Sequence, residues 1–343
     1  MSGRLLTLLF RNRMALIAFS FTSSYSSSGQ VPLMKPPLLV LIHLSEESTA
    51  TIAAHYDILY APDRQRRDAM IAGPAKKVAV VLTNGSTGLT AEEMRALPHL
   101  QLVCALGAGF ENIDAAHAKA HGIEIATGAG TNEDCVADHT LGLLLAILRN
   151  IPVLDRYTRD GGWRETIPLQ PQLAGKRVGI VGMGNIGKKI ARRAAAFDAE
   201  IAYCNRKKRD DVDFHYFPDV AQMAGWADCL IVAAPGGAQT HHLINARVLE
   251  ELGPKGYLVN IGRGSIVDTE ALAAALSAGR LAGAGLDVYE GEPKPPAALI
   301  GLPNVVLTPH IAGWSPEAIS ASVRQFLRNC EEHFAAAEPV VRA

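Results

Sequence analysis

From Leu38 onward, short runs of hydrophobic residues alternate with longer stretches of mixed polarity. Leu38–Ile42, Asp57–Tyr60, Val78–Leu82, Leu102–Leu106 and Ile123–Ala126 read as buried strands. Between them Thr49–His55, Thr90–Leu97 and Ile113–His121 read as helices, the second opened by the capping box Thr90-x-x-Glu93. The alternation resumes with strands at 177–181, 200–204, 227–234, 257–261, 283–288 and 305–308, and helices at 188–197, 246–252 and 269–278. Strands alternating with helices predict an α/β fold made of two Rossmann-like, doubly wound parallel sheets. Ser315-Pro316-Glu317 gives an N-cap, a proline at N1 and an acid in the first turn. The helix it starts, 318–336, is expected to return to the first unit.

Two stretches break the pattern. Asn132–Asn150 reads as one helix, apolar nearly all round, and so is expected to be buried between domains or against a second subunit. Asp138, His139 and Arg149 argue against a membrane span there. Tyr157–Pro171 reads as irregular, either an arm embracing a partner or a surface loop.

Residues 1–33 differ from everything else. They carry Arg4, Arg11 and Arg13, no acid, a Ser/Thr-rich tract from Ser20 to Ser28, and an apolar run, Met14–Phe21, too short for a bilayer. A transit peptide, a weak secretory signal, a disordered tail and an extension upstream of a natural start at Met34 all fit. The working expectation is a cytoplasmic protein, with organellar targeting as the alternative.

A chain of 343 residues predicts two domains, and a net charge of −1 gives no global reason to expect nucleic acid. The five cysteines are scattered without a Cys-x-x-Cys, which predicts reduced thiols in an intracellular setting. No metal-ligand spacing is evident, and His241-His242 read as a surface turn rather than a ligand pair.

The chemistry centres on Gly182-x-Gly184-x-x-Gly187, between a strand and a helix. Gly182 permits the tight turn, Gly184 lets the backbone approach a pyrophosphate, and Gly187 lets helix and strand pack closely. At the end of the next strand, where an acid would hold a ribose 2′-hydroxyl, stands Asn205-Arg206-Lys207-Lys208-Arg209. A cationic loop here is either plain solvated charge or a 2′-phosphate site, and its position favours the second. NADP(H) is therefore the expected cofactor, with NAD(H) weaker.

Arg263, Asp287, Glu292 and His310 fall at successive strand ends of the second unit, where open α/β sheets bind ligands. Singly, each is as readily a surface or core residue. Together, a histidine to donate a proton, a carboxylate to orient it and an arginine to grip a carboxylate fit reduction of a 2-oxo acid.

Val181–Gly187, Asn260–Asp268, Gly285–Pro293 and Pro309–Gly313 together resemble the D-isomer-specific 2-hydroxyacid dehydrogenases. Asn205-Arg206-Lys207, Asp134–Asp138 and Leu252–Gly256 are similar to the NADP-preferring glyoxylate/hydroxypyruvate reductases and the plant hydroxyphenylpyruvate reductases of that family. The resemblance implies two domains with a cleft between them, 34–132 plus 318–343 for substrate and 133–317 for cofactor, in a homodimer. It implies catalytic roles for Arg263, Glu292 and His310, with Asp287 holding the nicotinamide carboxamide.

It further implies a cofactor site of Gly182, Gly184, Asn185, Ile186, Gly187, Asn205, Arg206, Lys207, Pro235, Thr240, Ile261, Gly262, Arg263, Asp287, His310 and Gly313. The loops Asn84-Gly85-Ser86 and Gly107-Ala108-Gly109, with Arg263 and His310, would receive the substrate. Trp314, where the family varies, either lines that pocket or packs between domains. The implied activity is NADPH-dependent reduction of glyoxylate and hydroxypyruvate. 2-Ketogluconate or an arylpyruvate is the alternative substrate, and a cofactor-sensing co-repressor the alternative class. Formate dehydrogenases of the superfamily carry Gln where Glu292 stands.

Overall fold

Five parallel strands form the first sheet of the structure, a computed structural model that describes residues 35–337. The N-terminal stretch, with its targeting readings, and residues 338–343 lie outside the described residues. The strands are β1 (Pro37–Val40), β2 (Asp57–Tyr60), β3 (Val80–Thr83), β4 (Leu102–Ala105) and β5 (Glu124–Thr127), in the order β2-β1-β3-β4-β5. The second sheet is also parallel throughout. It comprises β6 (Arg177–Val181), β7 (Glu200–Cys204), β8 (His215–Phe217), β9 (Cys229–Val232), β10 (Tyr257–Asn260), β11 (Gly283–Leu286) and β12 (Val305–Leu307), ordered β12-β11-β10-β9-β6-β7-β8. The α/β, two-sheet expectation is met.

Central strands are buried on both faces, as helix-covered parallel sheets require, which is why they read as continuous apolar runs rather than alternating ones. Strand order reverses between β1 and β3 in one sheet and between β6 and β9 in the other. The crevices beyond the carboxyl ends at those reversals are where such sheets hold ligands. The loops after β3 and β4 and the loop after β10 meet each other there, so the two carboxyl edges face one another.

The last helix, Pro316–Ala337, lies on β4, β5 and the helix Glu46–Ala53 of the first sheet. Phe326 and Cys330 enter the same core as Leu38, Val40, Leu82 and Cys104. Thr131 and Ser322 hydroxyls meet at 2.6 Å. The capping box at Thr90 is present, with Thr90 N donating to Glu93 at 2.8 Å.

The apolar helix departs from expectation. It runs Glu133–Leu148 and lies on β10–β12 and on the helix Asn185–Ala195, as a layer of the second sheet rather than between the sheets. Asn150, at φ 53°, breaks it, and the chain bends by 59° into a second helix, Ile151–Arg159, which the sequence reading missed. Among the described residues no single helix is long and apolar enough to cross a membrane.

Short or sparsely apolar elements were missed as well. Helix Arg64–Ala72 buries only Ile71, β8 is three residues long, and helix Val220–Trp226 is two turns. The five cysteines are free, four of them buried.

Candidate active site

The second sheet's carboxyl edge carries a histidine–carboxylate pair. His310 Nδ1 lies 2.7 Å from Glu292 Oε2, and Tyr289 N donates to the other oxygen, Oε1, at 3.0 Å. The bond to Glu292 holds the imidazole pKa above its ordinary 6.5, against burial and the nearby Arg263 charge. Burial pushes Glu292 upward, but the bonds from His310 and Tyr289 prevail and hold it below the usual carboxylate range. His310 sits at φ 54°, a left-handed backbone that its surroundings must enforce. Its N–H donates to the carbonyls of Asp287 (2.9 Å) and Thr308 (3.0 Å).

Asp287, expected at the nicotinamide carboxamide, has a carboxylate that is 1% exposed. It accepts from Thr308 Oγ1 (2.6 Å), Ile311 N (2.9 Å) and Ala312 N (2.8 Å). His139 Nε2, from the apolar helix, reaches Thr308 Oγ1 at 3.0 Å. Asp287 and His139 thus clamp the loop that presents His310. The reading of the sequence missed His139, whose only signal was a polar residue on an apolar helix.

Arg263 follows β10, where Asn260 Nδ2 donates to its carbonyl at 3.0 Å. Its Nε donates to Glu111 Oε1 at 2.8 Å, across from the first sheet. A Cβ at Gly109 would collide with the guanidinium, and one at Gly236 would come within 2.9 Å of Arg263 Cγ, so two glycines give the side chain its room. Glu111 and Gly236 were not foreseen.

The other expected substrate residues gather here through backbone rather than side chain. Asn84 Oδ1 is taken by Thr87 N at 2.7 Å, and Ser86 O accepts from Asn112 Nδ2 at 2.9 Å. Gly85 and Gly109 lie so close that a Cβ on Gly85 would meet Gly109 O at 2.7 Å. Gly107 is part of the same loop, with its carbonyl accepting from Gly128 N at 2.9 Å. Ala108 is exposed beside it. Trp314 is 65% exposed.

The Gly182–Gly187 turn fits a dinucleotide. Gly182 has φ 102° and no space for a Cβ, whereas Gly184 has nothing within 4 Å of a Cβ, leaving backbone open to a ligand. The helix Asn185–Ala195 begins there without a side-chain cap, so its first N–H groups are unclaimed by its own N-cap. Beside Gly313, Asn132 Oδ1 is buried and has no partner.

Several of the expected polar ligands also bond within the protein. Asn205 Oδ1 accepts from Met183 N (2.7 Å), Asn185 Nδ2 donates to Glu133 (2.8 Å), and Thr240 Oγ1 donates to Pro235 O (2.8 Å). These bonds shape the turn and the loop after β9. Ile186, Ile261 and Gly262 supply apolar wall and backbone around them.

The basic loop is less uniform than its sequence. Arg209 is tied to Asp211 at 2.6 and 2.7 Å, and Lys188 joins them at 2.9 Å. Arg206, Lys207 and Lys208 are exposed, and among the described residues Arg206 bonds to the neutral Gln239, at 3.1 Å.

His241 and His242 do lie in a turn, with rings stacked at 4.0 Å. The fold adds Glu290, so that ligand atoms of the three residues come within 4.8 Å of one another, a grouping no sequence spacing revealed. His242 Nε2 lies 2.8 Å from Glu290, whose other oxygen accepts from Thr269. These bonds already account for the arrangement.

Comparison with known proteins agrees with this geometry. Residues 141–312 match the family model of the D-isomer specific 2-hydroxyacid dehydrogenase NAD binding domain. Hydroxyphenylpyruvate reductase of Plectranthus scutellarioides is 41% identical over 77% of this chain and 85% of its own. Glyoxylate/hydroxypyruvate reductase A HPR2 of Arabidopsis thaliana is 37% identical over 87% and 95%. The crystal structure of an NADPH-dependent glyoxylate/hydroxypyruvate reductase from Sinorhizobium meliloti, in complex with NADP and malonate, superposes with a TM-score of 0.81. It is 37% identical and covers 89% of this chain and 96% of its own.

Fold and comparisons together define an oxidoreductase with a nicotinamide cofactor. The chain belongs to the D-isomer-specific 2-hydroxyacid dehydrogenase family.

Proposed function

We propose that this protein reduces small 2-oxo acids, glyoxylate and hydroxypyruvate first among them, with NADPH as the preferred cofactor. The observation that carries the reading is the His310–Glu292 pair, 2.7 Å apart, on the same carboxyl edge as Arg263. A bound nicotinamide supplies the hydride. Charge then grows on the carbonyl oxygen, and His310, protonated with Glu292 behind it, gives that oxygen its proton. Arg263 grips the substrate carboxylate, helped by backbone N–H groups of the loops around Gly85 and Gly109. Asp287 fixes the loop so that the imidazole need not reorganise as the proton moves.

NADPH preference is supported by Arg206, Lys207 and Lys208, exposed at the end of β7 without a carboxylate partner among the bonds described above. A homodimer is supported by Ile151, Val153, Trp163 and Leu169, exposed apolar side chains within the segment 151–169.

The test is kcat/KM for glyoxylate, hydroxypyruvate, 2-ketogluconate and phenylpyruvate, each with NADPH and NADH. The two small acids with NADPH should lead. A bulky acid in front would overturn the substrate assignment and keep the chemistry. Tight NADPH binding with no turnover would favour the sensor reading.

A further inference from the structure

Glu111 holds an unusual position for a carboxylate. It comes from the loop after β4 of the first sheet, yet its Oε1 accepts from Arg263 Nε at 2.8 Å. Its Oε2 lies where it would be 2.9 Å from a Cβ on Gly85 and 2.6 Å from one on Gly109. Arg263, the Gly85 loop and the Gly109 loop are the three groups assigned above to the substrate's own carboxylate. Glu111 therefore presents the same chemical group to the same partners.

We propose that Glu111 is an internal carboxylate that fills the substrate-carboxylate subsite of the free protein and competes with the incoming acid. The proposal rests on the reading of Arg263 as the anchor. Both partners are partly exposed, with side chains 31% and 38% accessible, so the pair is breakable rather than permanent. Once displaced, Glu111 stays tethered at the rim of the subsite and adds negative charge beside the bound substrate. Monocarboxylic 2-oxo acids with a neutral or hydroxylated tail tolerate that charge. Acids with a second carboxylate meet like-charge repulsion, so the same residue selects against 2-oxo dicarboxylates.

The test uses oxamate, the half-amide of oxalate and an unreactive isostere of a 2-oxo acid, titrated into the full-length protein saturated with NADPH and followed by calorimetry. Glu111→Gln, which keeps size and removes charge, should lower the oxamate Kd by about two- to fivefold, the range for a partly exposed ion pair. It should also raise kcat/KM for 2-oxoglutarate relative to glyoxylate. Arg263→Gln should weaken oxamate in either background and abolish the gain. An unchanged or higher Kd in Glu111→Gln, with Arg263→Gln still harmful, overturns the competition while leaving the anchor intact. Oxamate binding indifferent to Arg263→Gln overturns the anchor and the competition with it.

Discussion

The two facing edges of the site are built on opposite principles. On the second sheet, charged side chains are locked: Asp287 is 1% exposed with three donors on its carboxylate, and Glu292 is held by two bonds. On the first sheet, glycine-bearing loops offer backbone, and the charged group that meets Arg263, Glu111, is 38% exposed. Proton transfer needs one fixed geometry, so its residues are packed and cross-linked. Receiving a small carboxylate needs room and N–H groups, so side chains are absent or turned away.

Substitutions on the two edges should accordingly differ in size. The largest effect is expected from His310→Asn, which removes the proton donor and should lower kcat for glyoxylate reduction by about 10²–10⁴-fold. Steady-state rates with the folded variant check this, and a loss under tenfold would mean that another group supplies the proton. Next is Arg206→Asp, at the cofactor end of the second sheet. It should cut kcat/KM for NADPH by about 10–100-fold relative to NADH, the scale of one charged hydrogen bond. Equal losses with both cofactors would place Arg206 away from the phosphate.

Asp287→Asn should destabilise the fold by about 1–3 kcal/mol, because one buried donor loses its acceptor. Denaturant titration would read this. Asn84→Ala on the first sheet removes only the exposed bond to Thr87 N and should cost about 1 kcal/mol or less. If Asn84→Ala proves as harmful as Asp287→Asn, the contrast between a locked and an open edge fails.

Legibility in the sequence followed the same division. The second sheet's edge was readable because chemistry there needs particular residue types at strand ends, as with Arg263, Glu292 and His310. The Gly182–Gly187 turn was readable because backbone approach demands glycine. What escaped was information held in pairings. Asp287 accepts bonds from Thr308, Ile311 and Ala312, and nothing local in sequence says so. Arg209 belongs to the basic run 206–209, yet Asp211, two residues on, holds it. Glu111 and Arg263 are 152 positions apart, and only the meeting of two sheets joins them. Helix Arg64–Ala72 was invisible because it buries one apolar side chain.

The central claim is that His310, charged through Glu292, donates the proton. Because Glu292 raises the His310 pKa, this pair also contributes stability that is full below the unfolded-state value near 6.5 and is lost as pH rises through the folded value. The direct test is kcat/KM for NADPH-dependent glyoxylate reduction from about pH 5 to 10, bracketing histidine's ordinary value, in the wild type and in Glu292→Gln. Deuterated cofactor would confirm that hydride transfer limits the rate. The wild-type rate should hold at low pH and fall as pH rises through a pKa above the ordinary histidine value. In Glu292→Gln, which removes the main cause of the shift, the falling limb should move to lower pH. Superimposable profiles, or a flat wild-type profile with a full isotope effect, would contradict the account.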